Sequence, residues 1–494
     1  MTGARTRSPR PPDRGRPTAD GGGHSAVRRR GPHSAGPQSA VVGRPRTRRL
    51  RALDRAHVWH PFTPMADWWA SDPLMIERGR GCYLYDTDGR RYFDGVSSLW
   101  VTLHGHRVPA LDRAVRAQLG RIAHSTMLGL ANVPATELAA RLAAVAPPGL
   151  TKVFYSDNGS TAVEVAIKLA FQYWRQRRPA RPERRLVVTF ANAYHGDTLG
   201  AVSVGGIDLF HRLFAPLLFE TIRLPSPYCY RCPRAPARGC CGQPLQALRA
   251  TLRARRRQVA AVILEPMVQA AAGMLTQPPG FVGEVADLCR AHDVLFIADE
   301  VATGFGRTGR LFACEHDGAR PDLMALAKGI SGGYLPLAAT LTTGRIFHAF
   351  LGRPEEGRTF YHGHTYTGNP LACAAALANL DELRRTRLLK SLPARTEALA
   401  GALDALWNLP HVGDIRRIGM MVGIELVRDR RTKAPYTPAA RVGHRVCMAA
   451  RRDGIIIRPL GDTLVLMPPL AASHRQLAGL VEATGRAVRR VTEA

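Results

Sequence analysis

Lysine is nearly missing from this chain. Only five occur, Lys152, Lys168, Lys328, Lys390 and Lys433, among 69 basic residues. Arginine fills every other basic position, so a lysine kept here is a candidate for chemistry that needs an amine. Acid is also short: 39 Asp and Glu leave a formal charge of +30. No stretch holds the roughly 18 uninterrupted apolar residues of a membrane helix. That excludes a helical membrane protein and leaves no membrane partner to expect. No apolar run of roughly 7–15 residues follows the N-terminal arginines, so no secretory signal is read. With nine cysteines and no export signal, a reduced, cytoplasmic setting is expected. What is present is ordinary: 45% apolar and 22% charged residues describe a folded chain, not a disordered one. At roughly 100–200 residues per domain, the length calls for two or three domains.

The charge is unevenly placed. Residues 1–50 carry 12 Arg and two Asp, with seven Pro, eight Gly and no aromatic residue. Such a segment cannot bury enough apolar surface to offset its chain entropy, and it is read as a disordered tail. It also raises a rival of another class, a basic nucleic-acid-binding protein. That rival predicts binding that weakens steeply with salt and vanishes without the tail. Nucleic acid is not the expected partner, because the remaining charge forms no stripe. Four cysteines cluster, Cys229, Cys232, Cys240 and Cys241. The first pair has zinc-ligand spacing, but neighbouring Cys240 and Cys241 diverge, so a thiol-bearing surface loop is favoured and no metal is assigned.

Residues 81–94 read as a hairpin: Cys82 to Tyr85 alternate, Asp88-Gly89 makes the turn and Arg91 to Phe93 return. Pro109 and Pro134 open helical stretches. Short apolar runs follow at Lys152–Tyr155, Leu186–Phe190, Ala260–Leu264, Val294–Ala298, Leu323–Ala327 and Leu337–Leu341, several separated by helical patterns. That is the pattern of a mostly parallel α/β sheet. After about residue 380 a helical segment, Leu380–Leu406, is expected to break near Pro393. A strand pair, Met420–Glu425 with Ile455–Arg458, and a helix over Ser473–Val491 complete a smaller α+β domain. The division is thus 1–50 tail, 51–104 N-terminal part of the small domain, 105–380 large domain and 381–494 C-terminal small domain.

Three motifs carry chemistry. Ser156-Asp-Asn-Gly159-Ser160-Thr161 ends a strand and starts a helix. Its free N–H groups lie at the positive end of the dipole, a phosphate site. Val294-Leu-Phe-Ile-Ala-Asp299 is a buried strand with a carboxylate at its C-terminal end, where open α/β sheets bind ligands. Lys328 ends another apolar strand and enters the turn Gly329-Ile-Ser-Gly-Gly333. A phosphate cradle, a strand-end Asp and a strand-end Lys on one sheet edge point to pyridoxal 5′-phosphate, with Lys328 as Schiff-base lysine and Asp299 at the pyridine nitrogen. Gly304-Phe-Gly-Arg-Thr-Gly309 fits a dinucleotide string but lacks the following helix, so that reading is rejected.

With these residues in place, the chain from about Val58 onward resembles the class III aminotransferases of fold type I. Within them it is similar to the branch that forms diaminopelargonate. The resemblance rests on Val58-Trp-His-Pro-Phe-Thr-Pro-Met65, Tyr194-His-Gly-Asp-Thr198, Ile263-Leu-Glu-Pro266, Asp299 to Gly309, Phe312-Ala-Cys-Glu-His316, Thr365-Tyr-Thr-Gly-Asn-Pro370 and Ile457-Arg-Pro459. It implies that Lys328 anchors the cofactor and shuttles a proton, Asp299 pairs with the ring nitrogen, and Gly159 and Ser160 hold the phosphate. It further implies that Tyr194 packs on the ring, and that Thr365, beside Gly363 and His364, reaches the phosphate of a neighbouring subunit in a homodimer. Arg458 would take the keto-acid carboxylate. The implied reaction aminates 8-amino-7-oxononanoate to 7,8-diaminononanoate in biotin synthesis. The rival within the family acts on 4-aminobutyrate, ornithine or β-alanine. Phe62, Leu99-Trp100 and Val465 depart from the aromatic donor pocket of members that use S-adenosylmethionine. Ser97 to Trp100, Leu103 to His106 and Tyr361 to Gly368 look closer to the lysine-using branch, so the donor stays open between the two.

Overall fold

The computed structural model describes residues 44–232 and 241–493. Most of the tail, and Cys240, lie outside the described residues. Its centre is a seven-stranded sheet in the order Leu150–Ser156, Ala338–Thr343, Leu323–Leu326, Leu295–Asp299, Val259–Leu264, Leu186–Phe190, Thr221–Leu224. Only Ala338–Thr343 runs against its neighbours; the other contacts are parallel. Val259–Leu264 and Leu295–Asp299 are buried along their whole length, as strands covered on both faces must be. The helix Gly159–Gln176 lays Ala162, Val165, Ala166, Leu169, Ala170 and Tyr173 against this sheet. This is the large, mostly parallel α/β layer that the apolar runs led one to expect.

Two four-stranded sheets lie outside it. One holds Ile76–Arg80, Tyr83–Asp86 and Arg91–Asp94, joined in parallel by Ile455–Ile456. Gly89, at φ 86°, supplies the left-handed residue of the expected Asp88-Gly89 turn. The other sheet holds Val412–Ile418, Met421–Leu426, Thr463–Leu466 and Arg458–Leu460, all antiparallel.

Three expectations need correction. The tail does not extend to residue 50: Pro45–His57 is a helix. It is tied down by a polar contact rather than by apolar burial, Thr47 Oγ1 donating to Asp88 Oδ1 at 2.6 Å, so composition could not register it. Met421–Leu426 and Ile455–Ile456 are not partners and lie in different sheets. Local pattern identifies strands but not their neighbours, because pairing depends on contacts distant in sequence. Finally, Pro393 sits inside the helix Leu388–Asp404, and the break falls at Arg387, φ 50°. A proline in a helix costs about 3 kcal/mol. Burying Leu388, Leu392, Leu399 and Leu403 returns more, at roughly 1.5–3 kcal/mol each.

Candidate active site

The C-terminal ends of the sheet strands open on a cavity of about 710 Å³. Asp299 stands at the end of Leu295–Asp299, 3% exposed. Its Oδ1 accepts the Val301 N–H at 3.0 Å, and its Oδ2 lies 2.7 Å from His195 Nδ1. At the end of the neighbouring strand, Val259–Leu264, Glu265 accepts the N–H groups of Tyr194 at 3.0 Å and Ala270 at 2.9 Å. The Tyr194 hydroxyl donates to Asp197 at 2.7 Å. Burial, with Asp197 beside it, pushes the Tyr194 phenol well above its ordinary range.

Lys328 follows the strand Leu323–Leu326 and starts a short 3-10 turn at φ 44°. Burial lowers its pKa, against the pull of Asp299, Glu265 and Asp197. An amine so placed is easier to deprotonate near neutral pH, as proton transfer requires. Its Nζ is 4.9 Å from the centroid of Trp100. Trp100 reaches that position from Ser97–Trp100, four successive residues at positive φ. Left-handed backbone costs an L-residue about 1–2 kcal/mol, so the rest of the fold must hold this turn in place.

At the opposite wall, the helix Gly159–Gln176 begins with a capping box. Asn158 Oδ1 accepts from Thr161 N and Thr161 Oγ1 accepts from Asn158 N, both at 3.1 Å. By position, the N–H groups of Gly159 and Ser160 have no intrahelical acceptor, which leaves an anion site at the dipole's positive end. A Cβ on Gly159 would come within 2.6 Å of Val301 Cγ1, so only glycine allows this approach. Ser160 Oγ is engaged by the Asp197 N–H at 3.1 Å.

Lys328, Asp299, Tyr194, Gly159, Ser160 and Trp100 thus line one cavity. A family model described as "Aminotransferase class-III" matches residues 65–488. The chain belongs to the class III aminotransferases. It is 57% identical to the adenosylmethionine-8-amino-7-oxononanoate aminotransferase of Nitratidesulfovibrio vulgaris, over 91% of this chain and 83% of that one. It is 52% identical to the enzyme of that name from Geobacter sulfurreducens, over 90% and 98%. The crystal structure of the namesake from Methanocaldococcus jannaschii superposes with a TM-score of 0.86 at 42% identity, over 90% of this chain and 99% of that one.

Other expected residues of this class III aminotransferase lie around the cavity rather than in its lining. Burial lowers the Arg458 pKa, and Tyr194 is close enough to act on its charge. Phe62 joins the site through Phe210, whose ring lies 5.3 Å from Phe62 and 6.2 Å from Tyr194, centroid to centroid. Sequence reasoning missed Phe210, since a lone Phe in a helical stretch carries no signal. Val465 is buried and pairs with Arg458 across strands. Leu99 is exposed beside Trp100. Gly363, His364 and Thr365 form a separate loop, where His364 Nδ1 lies 2.8 Å from Asp157 Oδ2. His104 and His106 have different partners, Asn379 at 3.0 Å and Asp94 at 2.9 Å, and so share no site. Cys232 Sγ is 3.3 Å from Cys241 Sγ. Among the described residues, no group of three or more His, Cys, Asp or Glu could hold a metal.

The donor set fits pyridoxal 5′-phosphate. It has an anion cradle closed to any side chain at Gly159, a buried carboxylate at Asp299 backed by His195, and an enclosed amine at Lys328.

Glu265 gives the first test. Burial pushes its carboxyl up to about 7, with Asp299 adding to the rise and His195 opposing it. The folded protein therefore keeps a proton that the unfolded chain loses near pH 4.5. That contribution is whole below the unfolded pKa and is lost as pH rises through about 7, a change of about 3 kcal/mol. Glu265→Gln is expected to abolish this loss in the cofactor-free protein, as read by thermal unfolding at about pH 5 and about pH 8. Parallel pH profiles for the two proteins would contradict it.

Proposed function

We propose that this protein uses pyridoxal 5′-phosphate to aminate 8-amino-7-oxononanoate to 7,8-diaminononanoate for biotin synthesis, with S-adenosylmethionine or L-lysine as donor. The observation that carries this reading is the enclosed Lys328 amine facing the Asp299 end of the sheet, in a chain this similar to relatives so named. When bound, the cofactor supplies a cationic conjugated ring that takes up the electrons left when the substrate carbon loses its proton.

The chain's residues do the rest. Gly159 and Ser160 would hold the phosphate through backbone N–H groups. Asp299, kept in place by His195, would hold the ring nitrogen protonated. Lys328 would be the covalent attachment point, and its Nζ would carry the proton to and from the substrate carbon. Tyr194 and Trp100 would wall the cavity and keep water from the reacting atoms. Arg458 would take the keto-acid carboxylate in its planar fork. A homodimer belongs to this reading, with Thr365 of one protomer serving the phosphate of its partner. The exposure of Tyr361, at 82%, and Tyr366, at 61%, in that loop supports it. A cytoplasmic setting belongs to the same reading.

Single-turnover spectroscopy with each donor tests the reading. The bound cofactor should convert to its amine form with S-adenosylmethionine or with lysine, and the amine form should be discharged by 8-amino-7-oxononanoate. Rapid conversion by lysine alone would assign the lysine branch. Discharge only by pyruvate or 2-oxoglutarate would overturn the substrate. Arg458→Ala is expected to raise KM for the acceptor by about 10- to 100-fold, the worth of a charge-assisted hydrogen bond, with a smaller change in kcat. An unchanged KM would remove Arg458 from carboxylate binding.

A further inference from the structure

Ser97, Ser98, Leu99 and Trp100 have φ of 50°, 48°, 73° and 73°. The Trp100 N–H donates to the Val96 carbonyl at 2.8 Å and the Val101 N–H to the Ser97 carbonyl at 3.0 Å. These four residues therefore make one turn of left-handed helix, without a glycine to ease it. Such a turn persists only where its surroundings over-determine it, and strain of this kind gathers at functional sites.

The restraints are specific and buried. Asp94, 0% exposed, grips the start of the turn. Its Oδ1 accepts the Ser98 N–H at 2.9 Å and its Oδ2 accepts the Ser98 hydroxyl at 2.8 Å. His106 Nε2 lies 2.9 Å from the same Oδ2 and fixes the carboxylate. Ser97 Oγ donates to the Met467 carbonyl at 2.7 Å, and the Met467 N–H donates to the Gly95 carbonyl at 2.8 Å. Past the turn, the buried Arg307 donates to the Thr102 carbonyl at 3.0 Å and the Pro468 carbonyl at 2.8 Å. Only Asp94 among these side chains reaches the strained residues with both oxygens. What the turn delivers is Trp100, 5% exposed, with its ring 4.9 Å from the Lys328 amine.

We propose that Asp94 is a positioning residue: it holds the left-handed turn that sets Trp100 against Lys328, and so governs acceptor binding without touching the substrate. This rests on the amino-transfer reading above. A merely structural Asp94 would lower thermal stability alone. A positioning Asp94 makes acceptor KM depend on whether the turn can stay left-handed.

Glycine at position 98 separates the two, because it accepts φ near 48° without a clamp. In the holoenzyme, Asp94→Asn is expected to raise KM for 8-amino-7-oxononanoate by about tenfold or more, with a smaller fall in kcat. Adding Ser98→Gly to Asp94→Asn is expected to return KM to within about threefold of the parent value. Crystal structures should show a residue of 97–100 relaxed to negative φ in Asp94→Asn, and the left-handed turn regained in the double variant. Should Asp94→Asn not fold, His106→Gln, which leaves Asp94 on Ser98, is expected to give a smaller rise that Ser98→Gly also reverses. A KM that stays at the parent value, or a raised KM that Ser98→Gly does not lower, overturns the proposal. If the parent protein does not turn over this acceptor, the functional reading has failed instead. The backbone angles and the Trp100–Lys328 distance in the same crystal structures then decide the positioning role.

Discussion

Lys328→Ala is expected to reduce turnover by about 10⁴-fold or more, the largest effect of any single substitution here. On the proposed reading two functions would end together, the covalent hold on the cofactor and the proton carrier beside the reacting carbon. No neighbour can replace it. Tyr194 keeps its proton, because burial raises its pKa and its hydroxyl is committed to Asp197. Lys168, another of the five lysines, is placed 2.9 Å from His362 and does not line the cavity. The variant should still bind cofactor through the Gly159–Ser160 cradle and Asp299. Adding a donor should not convert the bound cofactor to its amine form within the time of a parent turnover. Full turnover by Lys328→Ala would end the enzyme reading.

The second large effect is expected at Asp299. Asp299→Asn keeps the shape of the side chain and an oxygen for the Val301 N–H at 3.0 Å, but removes the charge. The ring nitrogen would then have no anion to keep it protonated. Loss of one pre-organised electrostatic partner in a buried site costs about 10²- to 10³-fold in kcat. The same change withdraws one of the charges that holds the Lys328 pKa up, so the lysine should become less basic still. The kcat–pH profile of Asp299→Asn reads both effects, as a lower plateau and an acid limb moved to lower pH. A rate within a few-fold of the parent would show that Asp299 is structural.

The site was unusually legible for one reason of composition. With arginine at nearly every basic position, Lys328 stood out at the end of an apolar strand. The buried strand Leu295–Asp299 and the Gly159–Ser160 helix start were equally local features. Arg458 and Tyr194 were identified through motif resemblance. Other features left no local trace. His195 beside Asp299 joins residues 104 positions apart, and Phe210 links Phe62 to Tyr194 through ring contacts. Arg307 lies in a glycine string that the sequence could only mark as not binding a dinucleotide. Its buried guanidinium instead ties Thr102 to Pro468.

Elements made of near neighbours were therefore determined by the sequence alone: the strands and helices of the sheet, the Asp88-Gly89 turn, the helix start at Gly159–Ser160 and the strand-end position of Lys328. Their causes are hydrophobic period, capping and turn chemistry, which act over a few residues. Tertiary structure alone decided which strands pair, how Pro393 stays helical, and why the chain is left-handed at Ser97–Trp100. Each is locally unfavourable or locally undetermined, and is settled by burial and hydrogen bonds from residues far along the chain. For Trp100 those come from Asp94, Arg307 and Met467, which meet only when the chain is folded.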